Sequence, residues 1–235
     1  MKTRILHKVL ILFTFAILVL VSSCTIYEPQ MVSIPLISEK NEVQLDAGVS
    51  ALGGVYGSVA FAPAQHVALQ VYGAIYPENS NFQGAVGYAT KSKSNLNFEI
   101  YGGFGTGKGT EYTEDNTTTY SNADYTIYFV QANIGQTNIS NAHIDYGFGF
   151  KAGTFNASIK DNLYTTIEPY HTNGILIEPQ AFVRMGGERF KVGFQMNGTK
   201  IFIDTVKDPL FNEFYLPFNF GLSLNYRFAP SLKKK

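Results

Sequence analysis

Residues 214–228 constrain the chain more than any other stretch. Phe214, Leu216, Phe218, Phe220, Leu222, Leu224, Tyr226 and Phe228 alternate with Tyr215, Pro217, Asn219, Gly221, Ser223, Asn225 and Arg227. This is strict period-two patterning, with one face wholly apolar and the other polar or small. It runs well past the usual length of a soluble strand. Strands of about 9–11 residues or more are what a tilted bilayer crossing requires. The pattern therefore predicts the closing strand of an all-β, antiparallel, up-and-down transmembrane barrel, with residues 229–235 as a basic tail.

Nine further alternating runs precede it, at 42–50, 54–62, 66–76, 81–89, 95–105, 123–135, 142–153, 174–185 and 189–197. Pro179 predicts a local defect in its ladder. In the sixth run Ile127 and Phe129 fall on the face opposite to Tyr128 and Val130. A bulge or an aromatic interior would each explain that. About ten strands is an even number, as in bacterial single-chain barrels. Connections are short around residues 63–65, 91–94, 136–141 and 186–188. On the other side they lie at 50–53, 77–80, 106–122, 154–173 and 198–212, and lengthen along the chain. Short periplasmic turns with longer extracellular loops mark barrels of the outer membrane.

Alternation does not by itself say which face is inside, and a soluble, lipid-tethered periplasmic barrel is the structural alternative. Strand length, loop asymmetry, even count and nearly charge-free apolar faces favour the membrane. The opposite faces carry Asp46, Glu99, Asp145 and Glu178 against Lys151, Arg184, Lys191 and Arg227. Such a set suits an interior polar network of paired charges. Many other inward positions are small, among them Gly48, Gly103, Gly147, Gly149, Gly193, Gly221 and Ser223. They make room for the long side chains, so an interior filled by side chains is expected rather than an open pore.

The N-terminus reads as a processing segment, residues 1–23. Lys2, Arg4 and Lys8 precede an apolar run over residues 9–21, too short for a comfortable transmembrane helix and suited to a secretory signal. Val21-Ser22-Ser23-Cys24 follows and resembles the lipobox of bacterial lipoproteins. The resemblance implies lipid attachment at Cys24, palmitate included. Thr25 stands where many lipoproteins of the inner membrane carry Asp, which implies export to the outer membrane. Cys24 is the only cysteine, so no internal disulfide forms. Residues 24–41, with Pro29 and Pro35 and no sustained period, read as a lipidated periplasmic tether. The barrel domain then covers 42–228. A lipid on Cys24 is expected on the periplasmic side, with the long loops extracellular.

Over roughly residues 42–228 the chain resembles, by pattern, small outer-membrane β-barrel proteins, in the subgroup with a lipoprotein signal. In the last strand Asn219, Gly221, Leu224 and Tyr226 are similar to the assembly signal of that class. This strand continues to Phe228, whereas many members end on the aromatic. The resemblance implies outer-membrane lipid, the barrel-assembly machinery and the lipoprotein-export machinery as partners.

Chemistry is sparse. Lys+Arg and Asp+Glu are both 18, which gives no basic excess for nucleic acid. Residues 102–109 nearly match a phosphate-binding loop, but Gly109 replaces the hydroxyl residue and no helix is expected to follow. They read instead as a Gly-rich strand end entering a loop. His66, His143 and His171 have no metal-ligand spacing, and no cofactor is called for. His143 with Asp145 reads as a structural polar pair. Omptin proteases are also ten-stranded and use Asp and Asp-His groups at the outer rim. Asp161, His171, Asp204 and Asp208 fall in outer connections here, without the Asp-x-Asp or Asp-x-His spacing. The expectation is a non-enzymatic barrel lipoprotein with a structural or surface-interaction role. An extracellular ligand would meet loops 106–122, 154–173 or 198–212. The alternatives are a rim-active protease or lipid-modifying enzyme, and a narrow transport channel.

Overall fold

The computed structural model describes residues 27–31, 33–92, 96–112, 119–139, 143–161, 169–203 and 218–230. Cys24, Asp204 and Asp208 therefore lie outside the described residues. Eleven strands occur in chain order: β1 (Val43–Ser50), β2 (Val55–Ala64), β3 (Val67–Ile75), β4 (Asn79–Lys91), β5 (Leu96–Tyr112), β6 (Thr119–Ile139), β7 (Ile144–Asp161), β8 (Tyr170–Gly186), β9 (Phe190–Gly198), β10 (Lys200–Ile203) and β11 (Phe218–Phe228). From β1 to β9 consecutive strands pair antiparallel, β9 and β10 both pair with β8, and β11 bridges β9 and β1. The sheet is thus closed. β9 and β10 are two halves of one stave broken at Thr199, so the barrel has ten staves. The ladder loses its pairs opposite Glu178 and Pro179, where Pro179 has no N–H to give.

Closure needs tilt and stagger. A walk across the ladder from Val43 at the foot of β1 meets Phe61, Leu69, Val86, Gly102, Val130, Ala152 and Ile177, and reaches Lys200. Lys200 lies far above the foot of its own stave, which begins at Phe190. Two ends follow. The turn end holds Val43, Phe228 and tight turns such as Gln65-His66, where His66 takes φ 66°. The crest end holds Ser50, the β1–β2 turn with Gly53 at φ 80°, and the tall strands β5–β8.

Along most of the barrel the apolar face points outward. Leu45, Val71, Ile100, Val130, Phe148, Phe194, Leu222 and Leu224 are all exposed, Phe148 at 62% and Leu222 at 58%. A soluble barrel would bury these residues, so the barrel is a transmembrane one. No described helix is long and apolar enough to cross a membrane, and the crossing is made by strands.

The outer face changes character at one level. Among the described side chains, Phe104, Tyr128 and Ile175 are the last large apolar residues outward on β5, β6 and β8. Beyond them stand Thr106 and Lys108 on β5, Thr126, Asp124 and Asn122 on β6, Asn156 and Lys160 on β7, and Asn173 and His171 on β8. Lys108 and Asp124 pair there in water, 3.6 Å apart. The inner face changes at the same level in the opposite sense. Gln131, Lys151, Glu178 and Gln180 give way to Ile127, Tyr125, Phe155, Ile159 and Leu176, all buried. On β8 the apolar outer face runs from Met185 to Ile175, about 33 Å of strand and about 25 Å of height at a tilt near 40°. That is the thickness of an outer-membrane belt.

This exchange corrects the expected loops. Residues 106–112 and 119–122 continue β5 and β6, 154–161 continue β7, and β8 already starts at Tyr170. His171 is thus a strand residue, exposed on the outer face. Ile127 and Phe129 are inward where the ladder is continuous on both sides, the register shifts of β6 lying near Tyr112 on β5 and at Gln136–Ile139, so the aromatic interior explains them. The Gly-rich run 102–109 is not a strand end entering a loop. It lies inside β5, and a Cβ on Gly103 or Gly107 would come within 2.3 Å of the Phe129 or Tyr125 ring. These glycines make room for rings on the neighbouring strand.

Candidate functional site: an occluded lumen

The lumen holds a chain segment. Residues 27–31 and 33–37, expected as part of a free tether, lie inside the barrel with Tyr27, Met31, Ile34, Leu36 and Ile37 all at most 1% exposed. Backbone groups inside a barrel must find partners, because water is scarce there. Pro29 and Pro35 lessen that demand by having no N–H. The wall meets many of the other groups, one level at a time.

At the turn end, Arg227 Nη2 donates to the carbonyls of Pro35 and Leu36, both at 3.2 Å. Ile37 N donates to Glu99 Oε1 at 2.7 Å, while Asn133 Nδ2 holds the other carboxylate oxygen at 2.9 Å. Ser38 N and Glu39 N donate to Glu42. Higher up, Arg184 Nη1 donates to Ile34 O, and Gln70 and Gln131 both donate to Ser33 O. Met31 N then donates to Tyr72 Oη at 3.0 Å. Asn197 donates to Gln30 O, and Asn219 Nδ2 donates to Pro29 O at 3.0 Å. At the top, Tyr27 Oη donates to Glu178 Oε1 at 2.8 Å, and its ring packs edge-on against Tyr125 and Phe155.

These contacts fix direction. Asn219 and Arg227 sit near opposite ends of β11, about 26 Å apart along the strand. One holds Pro29 and the other holds Pro35 and Leu36. The thread therefore enters from β1 at the turn end and climbs, going back in sequence, to the crest end. Tyr27 meets Tyr125 and Phe155 at the level where the faces exchange character. The structure thus corrects the periplasmic tether: its residues 27–37 lie in the lumen because wall side chains match their polar groups.

The eight charged residues anticipated from the strand faces are all buried. Lys151 pairs with Glu178 at 3.1 Å, Arg184 with Asp46 at 3.1 Å, and Lys191 with Asp145. Arg227 pairs with Glu42 at 3.1 Å, and Glu99 serves the thread instead of a base. The interior set read from the sequence left out Glu42, although the run 42–50 places it on the face opposite to Val43 and Leu45. His143 is only partly buried, at a turn with φ 48°, while Asp145 bonds Lys191 and Asn138 N. Among the strand residues likened to an assembly signal, Asn219 is buried and accepts from Ser50 Oγ at 2.7 Å. Gly221 faces inward, and a Cβ there would come 2.7 Å from Met31 Cε. Leu224 and Tyr226 face outward, and Phe228 is partly exposed opposite Val43. Among the described residues no group of His, Cys, Asp and Glu is arranged to hold a metal ion.

No protein-family model matches the chain, and no curated protein matches it. Among solved structures it is similar to Ail, the attachment invasion locus protein of Yersinia pestis. That match has 13% identity over 81% of this chain and 100% of that chain, with a TM-score of 0.40. It is similar also to the KdgM porin, with 10% identity over 80% of this chain and 99% of that one, at a TM-score of 0.36. The KdgM porin in complex with disordered oligogalacturonate matches at 10% identity over the same shares, with a TM-score of 0.37.

Proposed function

We propose that the protein is a lipoprotein of the Gram-negative outer membrane, closed by its own N-terminal thread. Its role is structural or surface-interactive, and non-catalytic. The observation that carries this reading is the filled lumen. Arg184 and Arg227 hold thread carbonyls, and Lys151 pairs with the Glu178 that receives Tyr27. Groups so committed are not available to a passing solute or a substrate. What remains for partners is the crest of β5–β8, polar outside and standing beyond the apolar belt. With β10 beside it, it includes strand portions of 106–122, 154–173 and 198–212, where an extracellular ligand would bind. Outer-membrane lipid surrounds the belt, and the barrel-assembly and lipoprotein-export machineries deliver the chain.

Planar-bilayer recording tests the reading. The intact protein is expected to be electrically silent, and a deletion of residues 27–38 is expected to conduct. Stable channels from the intact protein would replace this reading with the transport one. A hydrolytic activity abolished by His171→Ala or Asp204→Ala would replace it with the enzymatic one.

A further inference from the structure

We infer that the thread delivers Cys24 to the crest end of the barrel, so that its acyl chains lie in the outer leaflet of the outer membrane. The inference rests on the proposed acylation of Cys24 and concerns which side of the membrane receives it. Lipid on Cys24 was expected on the periplasmic side, because strand ends normally lie there. The lumen contacts place the N-terminal end of the thread elsewhere. Going back from Ile37, its partners are Glu99 and Arg227, then Arg184, then Gln70 and Gln131, then Tyr72, Asn197 and Asn219, and finally Glu178. This order climbs the wall without reversal.

The thread ends at the right height for a lipid. Tyr27 packs on Tyr125 and Phe155, beside the level where Tyr128 and Ile175 give way outside to Thr126 and Asn173. That level is the crest-side edge of the apolar belt. Cys24 precedes Tyr27 by three residues, a reach of at most about 11 Å. The barrel wall is also uneven. β5–β8 are 17 to 21 residues long, whereas β1, β2 and β3 have 8, 10 and 9. The low lip formed by the β1–β2 turn and by Tyr76 lies close to the thread, since Asn219 bonds both Pro29 and Tyr76 Oη. A chain leaving the lumen at Tyr27 starts from the crest-side edge of the belt. To reach the periplasmic leaflet it would have to pass back through a lumen that residues 27–37 already fill.

The test uses the full-length protein in the outer membrane of intact cells. One variant carries a site-specific protease sequence between Thr25 and Ile26, and a second carries it between Glu39 and Lys40. Added protease is expected to cut the first in intact cells and the second only after the outer membrane is permeabilised. A first variant protected until permeabilisation would overturn the inference, as would a second variant cut from outside. If the first does not assemble, Ile26→Cys takes its place, the only free thiol once Cys24 is acylated: it is expected to react with a membrane-impermeant maleimide on intact cells, and reaction only after permeabilisation would overturn the inference. An alkyne fatty acid reports acylation separately. Label that is absent from the wild type, or that survives Cys24→Ala, defeats the lipoprotein reading whatever the protease shows. Transfer of the label, on cutting the first variant in intact cells, from the barrel to a short peptide that stays in the membrane requires both readings.

Discussion

The Asn219 side-chain amide donates to the Pro29 carbonyl at 3.0 Å, joining the last strand to the thread across 190 residues of sequence. Its oxygen accepts from Ser50 on the neighbouring strand, and the same amide nitrogen reaches Tyr76 Oη. One side chain thus ties closure of the barrel to occupation of its lumen. The polar residue that begins the assembly-signal-like pattern faces the thread and not the lipid.

Asn219→Leu is therefore expected to weaken the barrel without stopping insertion. It strands a buried carbonyl and a serine hydroxyl, at a cost of roughly 1–3 kcal/mol. Heat-modifiability on gels should show unfolding at a clearly lower temperature. A melting profile unchanged from wild type would show that the thread is not held there.

Glycine positions separate packing from lipid contact. A Cβ on Gly103 would come within 2.3 Å of the Phe129 ring, whereas one on Gly84 would meet nothing within 4 Å. Gly103→Val should sharply reduce the folded fraction, and Gly84→Val should leave it near wild type. Equal effects of the two would contradict the aromatic interior. Folded yield after refolding into detergent micelles is the measurement.

Much of the barrel below the crest was legible because one rule governs it: apolar out, polar in. Leu45 with Asp46, and Leu224 with Asn225, announce the lipid face and the lumen face by alternation alone. Above Tyr128 the rule inverts. Thr126, Asp124 and Asn122 point out while Ile127, Tyr125 and Ala123 point in. A search for one continuous apolar face ends at that level and reads the rest as loop. The signal was present, since Ile127 and Phe129 broke the expected phase. The thread was not legible, because its eleven residues lack a period and depend on partners far away in sequence. Glu178 lies 151 residues from Tyr27, and Arg227 lies 191 from Leu36. Only closure of the sheet brings them together.

The belt predicts where a charge is tolerated. Leu222 is 58% exposed midway along the apolar outer face, opposite Val49. Leu222→Arg places a guanidinium in hydrocarbon at a cost of about 2–4 kcal/mol. Asn122 faces outward above the belt, so Asn122→Arg should be neutral. The first variant should accumulate outside the membrane fraction and the second should not. Normal membrane insertion of Leu222→Arg would count against the placement of the bilayer.

The Lys151–Glu178 pair links the wall to the top of the thread. Glu178 receives Lys151 Nζ at 3.1 Å, Tyr27 Oη at 2.8 Å and Thr199 Oγ1 at 2.9 Å, with both charged side chains at most 4% exposed. Lys151→Met leaves the carboxylate buried without its base, which typically costs about 3–5 kcal/mol. Changing Glu178→Gln as well removes the stranded charge while an amide oxygen still accepts from Tyr27. The double variant is therefore expected to recover much of the lost stability, and the lumen to stay closed. Thermal melts of the wild type, the two single variants and the double variant form a complete cycle. Additive losses would mean that the two residues do not act as a pair. Conductance in Lys151→Met alone, absent in the double variant, would show that this carboxylate keeps the upper thread seated.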